Sequence, residues 1–86
     1  MGMRNVTEIT ITPQRHGVTG FEPCKKHDAT SFAVHYFGTV PRYGEGWFPV
    51  YDTNMRYKYT SLLEAIDKAT EFQKHWNLGH VSIHIR

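Results

Sequence analysis

The chain is 86 residues long, which limits it to one domain with a small hydrophobic core. Hydrophobic residues make up 40% of it and aromatic residues 14%, so the composition is globular and excludes an intrinsically disordered protein. Ten lysines and arginines are balanced by eight aspartates and glutamates, which excludes an acidic mimic of nucleic acid and does not require a nucleic-acid partner.

Neither a membrane segment nor a disulfide framework is predicted. No apolar run reaches the roughly 20 residues that span a bilayer, and the N-terminus lacks a signal-peptide pattern. The one cysteine, Cys24, cannot form an internal disulfide and fits a reducing compartment. We therefore expect residues 1–86 to form a single cytoplasmic domain that makes no membrane contact.

The first half of the chain predicts two strands separated by a long connection. Residues 5–12 alternate, with isoleucines on one face and polar side chains on the other, and the run ends at Pro13. Residues 14–30 contain glycines and prolines without a period, which predicts an irregular loop. Residues 31–40 alternate with apolar side chains on both faces, which is typical of a central strand.

Two more strands are predicted before the helix. Residues 47–51 form the third strand, and Pro49 within it favours the edge of the sheet. Residues 52–54 have the composition of a hairpin tip and lead to the fourth strand, residues 55–59.

The last third predicts a capped helix followed by a strand. Ser61 and Glu64 have the capping-box spacing, and apolar residues then recur every three or four positions as far as Trp76. Gly79 is predicted to end the helix in the left-handed conformation. Residues 80–86 alternate strictly, which indicates a final strand. The predicted order is β-β-β-β-α-β, and the predicted class is α+β: a small antiparallel sheet with one amphipathic helix packed on one face.

Cys24 and His27 form the only pair with metal-ligand spacing. A structural zinc site needs four ligands, and no second close pair accompanies them, so neither a metal nor another cofactor is predicted. The pair could also act as a thiolate nucleophile and its base, because Lys25 and Lys26 would favour the thiolate. The sequence has no oxyanion-hole motif, no phosphate-binding glycine loop and no carboxylate pair at catalytic spacing, so we expect no enzyme.

Basic and aromatic residues alternate at residues 56–59, an arrangement that can hold phosphates and stack bases. In a strand, however, Tyr57 and Tyr59 would share one face, and Arg56 and Lys58 the other. A nucleic-acid strand would need both kinds of side chain on the same face. A nucleic-acid-binding module is therefore the alternative function.

A surplus of large aromatic residues favours a protein partner. One short helix cannot cover every aromatic ring between residues 43 and 59, so some of these rings should form an exposed patch. Tyr, Trp and Arg are the residue types that anchor protein interfaces. The predicted partner-binding residues are Arg42, Tyr43, Trp47, Arg56 and Lys58. A free sheet edge could also pair with a second copy and give a homodimer.

In size and style the chain resembles small accessory proteins of phages and mobile elements, which lack signal peptides and catalytic motifs. Many such proteins bind and block a host protein or a defence complex. That resemblance implies a protein-binding inhibitor or adaptor, which is the leading expectation for function.

Overall fold

The computed structural model describes residues 5–86. Within them the elements follow in the order β1 (Asn5–Gly17), β2 (Gly20–Pro23), a 3-10 helix (Lys26–Asp28), β3 (Ser31–Val40), β4 (Gly44–Pro49), β5 (Lys58–Tyr59), α1 (Leu62–His75) and β6 (Ile83–Ile85). The predicted α+β class, a mainly antiparallel sheet with one helix packed against it, is confirmed. The predicted order has five strands and the structure has six within residues 5–86, because β2 was not predicted.

Two long central strands organise the sheet. β1 and β3 pair antiparallel from Asn5, opposite Thr39, to Gln14, opposite Ser31. The outer edge of β1 pairs with β2 and with β6, which runs parallel to it. The outer edge of β3 pairs with β4 and β5, both antiparallel. Each central strand is therefore flanked by two shorter ones.

One face of the sheet packs against α1 and forms the hydrophobic core; we call it the covered face. Ile9, Ile11 and Val34 are fully buried there, and Ala65 and Ala69 are the fully buried residues of the helix. Alanines at the contact let the helix lie close to the sheet. Removal of this apolar surface from water, at roughly 25 cal/mol per Å², is the main source of stability.

The helix forms where its sequence pattern predicts it. The Ser61 hydroxyl accepts a hydrogen bond from the Glu64 amide at 3.4 Å and so caps the first turn. At the other end Asn77, with φ 56°, takes the left-handed conformation that was predicted for Gly79, because the helix ends before that glycine is reached. Within residues 5–86 no helix has both the length and the apolar character needed to cross a bilayer.

Residues 14–30 are not the irregular loop that the sequence predicts. β1 continues through Pro13 to Gly17, and a two-residue turn leads back from Gly20, which has φ 129°. Pro13 lacks an amide donor, but its carbonyl accepts a hydrogen bond from the Cys24 amide at 3.0 Å. The prediction is wrong because the two glycines bound a hairpin turn instead of breaking the strand.

The shorter strands are shifted from their predicted bounds. β4 begins before the predicted residues 47–51, because Gly44, with φ 78°, closes a tight turn on β3. β5 keeps only the end of the predicted residues 55–59, since Met55, with φ 60°, interrupts the extended backbone. β6 covers only the central part of residues 80–86.

Candidate binding surface

The second face of the sheet is not covered by α1, the one α-helix within residues 5–86; we call it the open face. β3 alternates between the two faces, so Ala33, His35 and Phe37 lie opposite the core residues Val34 and Tyr36. Cross-strand pairing and ring contacts then define the open face as Glu8, Thr10, Phe21, Ala33, His35, Phe37, Glu45, Trp47, Tyr57, Lys58, His84 and Arg86.

Two cation–π contacts cross the open face. The Lys58 ammonium lies 4.0 Å from the centre of the Phe21 ring, and the Arg86 guanidinium lies 5.4 Å from the centre of the Trp47 ring. In each pair the cation and the ring come from opposite edges of the sheet, so each contact spans both β1 and β3. A cation–π contact at such exposed sites contributes about 0.5–1 kcal/mol.

These contacts explain why small side chains on the open face are buried without a helix above them. Ala33 is fully buried, and Thr10 is 2% exposed. Ala33 pairs with Lys58, and Thr10 lies between His35 and His84 in the register of the sheet. The long flanking side chains therefore form a second, thinner layer over the central strands.

Aromatic rings pack edge-on along the open face. The Tyr57 ring contacts His35 at 5.4 Å and Tyr51 at 5.5 Å between ring centres, and Phe37 contacts Trp47 at 5.1 Å. Burial lowers the pKa of His35, and the nearby Lys58 charge lowers it further. The imidazole is therefore neutral at pH 7 and packs as an uncharged ring.

The structure distributes the five predicted partner-binding residues over three segments. Trp47, which is 44% exposed, and Lys58 lie on the open face. Arg42 and Tyr43 form the turn between β3 and β4, where Tyr43 is 78% exposed. Arg56 is exposed in the segment that precedes β5.

The turn and Lys58 lie near opposite ends of β3. Val40 is next to the turn, and Ala33 is opposite Lys58, so the two positions are separated by about 23 Å of extended strand. Within the open face, Trp47 lies opposite Phe37 and Lys58 lies opposite Ala33, so the two residues lie toward opposite ends of β3. The predicted residues therefore do not form one compact patch.

The alternation predicts that Tyr57 and Tyr59 share a face, but in the structure they lie on different faces. Tyr59 is 3% exposed in the core, and its hydroxyl donates to the Arg56 carbonyl at 3.0 Å and lies 3.3 Å from Asp52. Burial, followed by the Asp52 charge, raises the pKa of Tyr59 to about 12. Tyr57 instead lies beside Lys58 on the open face. The prediction is wrong because the extended strand begins only at Lys58.

The charges on the open face are balanced. Lys58 and Arg86 are its permanent cations, and Glu8 and Glu45 are its carboxylates. Both cations already lie over aromatic rings of the same chain. Nucleic-acid binding depends on several cations that are free to replace the counterions of the phosphates. Within residues 5–86, the open face therefore has no surplus of free cations.

Cys24 and His27 lie in the segment between β2 and β3. Cys24 is a partly buried free thiol, and His27 Nε2 lies 3.7 Å from Asp28 Oδ2 on the surface. In the part of the chain that the structure describes, no three His, Cys, Asp or Glu side chains converge as metal ligands.

A groove beside the helix is not foreseen by the sequence. It has a volume of about 500 Å³ and lies between residues 49–53 and the second half of α1. Its lining includes the buried Tyr36 and the more exposed Tyr51 and Trp76. Tyr51 also contacts Tyr57, so the groove borders the open face. The sequence contains one signal for this groove, which is Trp76. It is a large ring at the end of the apolar stripe of α1, where the core of a small domain is too small to bury it completely.

No protein-family model matches the chain, and neither the curated proteins nor the solved structures provide a significant match. Function therefore has to be inferred from the surfaces of this chain.

Proposed function

We propose that the protein is a non-enzymatic module that binds another protein on its open face. The main support is one observation: a sheet face without helical cover combines exposed aromatic rings with balanced charges. Trp47 is 44% exposed and Phe21 41%, although both are large and apolar. Aromatic residues with few net charges are typical of the centre of a protein interface.

The exposed rings are held in place before any partner arrives. Trp47 lies between the Phe37 ring and the Arg86 guanidinium, and Phe21 lies between the His16 ring, at 4.4 Å, and Lys58. Side chains that are already ordered lose little conformational entropy on binding. The open face is thus preorganised for recognition.

The turn between β3 and β4 extends this surface. Tyr43 is 78% exposed there, beside Arg42, whose φ of 78° fixes the turn. No atom lies within 4 Å of where a side chain at Gly46 would begin, so the hairpin is bare on that side as well. A partner can therefore contact the hairpin on both sides, with Tyr43 as an anchor and Arg42 at the rim. A module that binds without chemistry acts as an inhibitor or an adaptor.

The test compares matched surface variants in a capture experiment. Tyr43 and Leu63 are both 78% exposed, but Leu63 lies on the outer side of α1, so Leu63→Ala is the control for Tyr43→Ala and Trp47→Ala. Proteins retained from nuclease-treated lysate of the source cells are quantified by mass spectrometry. The retained protein is then purified and its Kd measured by calorimetry. Trp47→Ala should weaken binding by about 2 kcal/mol or more, and Leu63→Ala should leave it unchanged.

Two other outcomes would replace this proposal. A parallel capture uses untreated lysate. If it retains material that nuclease removes, and Arg42→Ala, Arg56→Ala and Lys58→Ala each lower the salt slope by about one phosphate contact, the protein binds nucleic acid. If light scattering shows a dimer that Trp47→Ala separates, and no other protein is retained, the open face joins two copies. Equal retention of one protein by all three variants would contradict an open-face site.

A further inference from the structure

We infer that the groove between α1 and residues 49–53 binds an arginine side chain that the partner protein presents. The inference rests on the proposed function, because a protein has to carry the arginine, but the groove can be tested without that protein. Its volume of about 500 Å³ is in the range of ligand sites, so a whole side chain fits together with its apolar stem.

The lining of the groove is mostly aromatic. Its rings belong to Tyr36, Tyr51, Tyr59, Phe72 and Trp76. Tyr and Trp rings attract cations through their faces, and the planar guanidinium of arginine also stacks on them. Two of these rings reach the solvent: Tyr51 is 51% exposed and Trp76 is 37% exposed.

The charged residues of the groove complement a cation. Lys68 Nζ lies 3.8 Å from Glu71 Oε2, so these two charges offset each other. Asp52 is the other carboxylate of the lining, so the lining holds two carboxylates and one permanent cation, Lys68. The Arg56 charge also acts on Asp52, from outside the lining. The free space is thus bounded by aromatic rings and by the Asp52 carboxylate.

Asp52 retains capacity for a further donor. Its Oδ1 accepts from the amides of Asn54 at 2.8 Å and Arg56 at 2.9 Å. Its Oδ2 lies 3.3 Å from the Tyr59 hydroxyl, but that single proton is closer to the Arg56 carbonyl oxygen, at 3.0 Å. One proton cannot fully serve both acceptors, so Oδ2 can accept from a guanidinium. The amide bonds, that of Arg56 first, hold the pKa of Asp52 below its ordinary value, so it is ionised at pH 7.

The position of the groove links it to the open face. Tyr51 lines the groove and also contacts Tyr57 of the open face. A partner that covers Tyr57 can therefore extend one long side chain around the edge of the sheet into the groove. Arginine has the length, the planar donors and the charge that this path and its end require.

The probe for this inference is N-acetyl-arginine-N-methylamide, titrated into the whole protein and followed by NMR. It should shift the Trp76 indole and Thr53 amide signals saturably, with affinity in the millimolar range. N-acetyl-norleucine-N-methylamide, which has an apolar stem and no charge, should bind at least fivefold more weakly. Equal binding of both probes, shifts confined to the open face, or no saturable shift would overturn the inference.

Charge variants of the groove sharpen the test, because they change affinity in opposite directions. Glu71→Gln should weaken arginine binding at least threefold, and Lys68→Gln should strengthen it, because Lys68 repels the probe. Glu71 has a side chain that is 62% exposed, so this change should leave the fold intact. Leu63→Ala is the control and should have no effect. Effects of the same sign in the two groove variants would contradict a cation site.

The groove and the open face can fail independently. Trp47→Ala leaves the groove intact and should titrate with the arginine probe as the wild type does, even if no partner protein exists. The Trp47→Ala variant could lose affinity for a purified partner protein while the Glu71→Gln and Trp76→Leu variants bind it with unchanged affinity. In that case the inference of an arginine site is wrong and the proposed function stands.

Discussion

The two faces of the sheet are made by the same two central strands but are built in different ways. On the covered face, Ile11 and Val34 pair across β1 and β3 and are fully buried under α1. On the open face, the neighbouring Thr10 and His35 pair and are shielded only by side chains from the flanking strands. We therefore expect the covered face to supply most of the stability, and the open face to tolerate changes in its contacts without unfolding of the domain.

The residue types on the two faces follow this division. The covered face combines branched aliphatic side chains and alanines with the rings of Phe32, Tyr36 and Tyr59, and there dense packing is most stabilising. Aromatic rings and cations occupy the open face, held by contacts worth about 0.5–1 kcal/mol each. Such contacts are weak enough to be exchanged for contacts with a partner.

The largest expected effect is on the covered face. Ile11→Ala should lower the free energy of unfolding by about 2–5 kcal/mol, because it leaves a cavity in a fully buried site under the helix. The measurement is urea denaturation followed by circular dichroism. A loss below about 1 kcal/mol would show that the covered face is not the main core.

Two glycines that face each other on β3 and β4 differ in how closely other strands approach them. Gly38 and Gly46 are paired in the register, but a Cβ at Gly38 would lie 2.5 Å from the Asn5 carbonyl oxygen, and one at Gly46 would meet no atom within 4 Å. Gly38→Ala should cost about 1–3 kcal/mol, and Gly46→Ala should be nearly neutral. Chemical denaturation of both variants checks this, and equal effects would contradict the difference in packing.

On the open face the effect on stability should be smaller. Trp47→Ala removes a ring that is 44% exposed and one cation–π contact, so the free energy of unfolding should fall by about 1 kcal/mol or less. Thermal melts of Trp47→Ala and Ile11→Ala, compared side by side, are the measurement. A loss as large as that of Ile11→Ala would make the open face a second core, which would leave no free surface for a partner.

The smallest expected effect is a pH dependence that comes from His35. Its pKa in the folded protein lies below the ordinary 6.5, because of burial first and Lys58 second. Below pH 6.5 the unfolded chain therefore takes up this proton more readily than the folded one, and the free energy of unfolding falls as the pH decreases toward the folded pKa. The stability contribution is fully present above pH 6.5.

His35→Gln provides the comparison, because it keeps a polar side chain without a titration. Urea melts between pH 7 and pH 5 should show a shallower decline for His35→Gln than for the wild type. Identical declines would place the pH dependence on other residues and would indicate that His35 is solvated.

The sequence predicts those parts of the fold that depend on local periodicity. The helix stripe with Ser61 as its cap and the alternation of residues 31–40 correctly indicate α1 and β3. The β1–β2 hairpin was missed because Gly17 and Gly20 have the same local appearance in a loop and in a tight turn.

The candidate site is less accessible to sequence reasoning. Trp47 was expected to be exposed, and the structure shows that it is. The Arg86 guanidinium that contacts its ring, however, is far away along the chain. Lys58 and Phe21 are likewise far apart along the chain. Such pairs arise only when the order of strands brings opposite edges of the sheet over the same central strands, and no local pattern encodes that order. The groove depends on the same tertiary arrangement.

The parallel pairing of β6 with β1 has a consequence for synthesis on the ribosome. The outer edge of β1 around Ile9–Ile11 is completed by Ile83–Ile85, so it stays open until those residues have left the exit tunnel. Between the synthesis of β1 and that of β6 the nascent chain exposes an isoleucine-rich strand edge, which is the kind of segment that associates with other chains. Slow translation between β1 and β6, or low levels of chaperones, should therefore reduce the yield of this protein more than that of a helical protein of equal length.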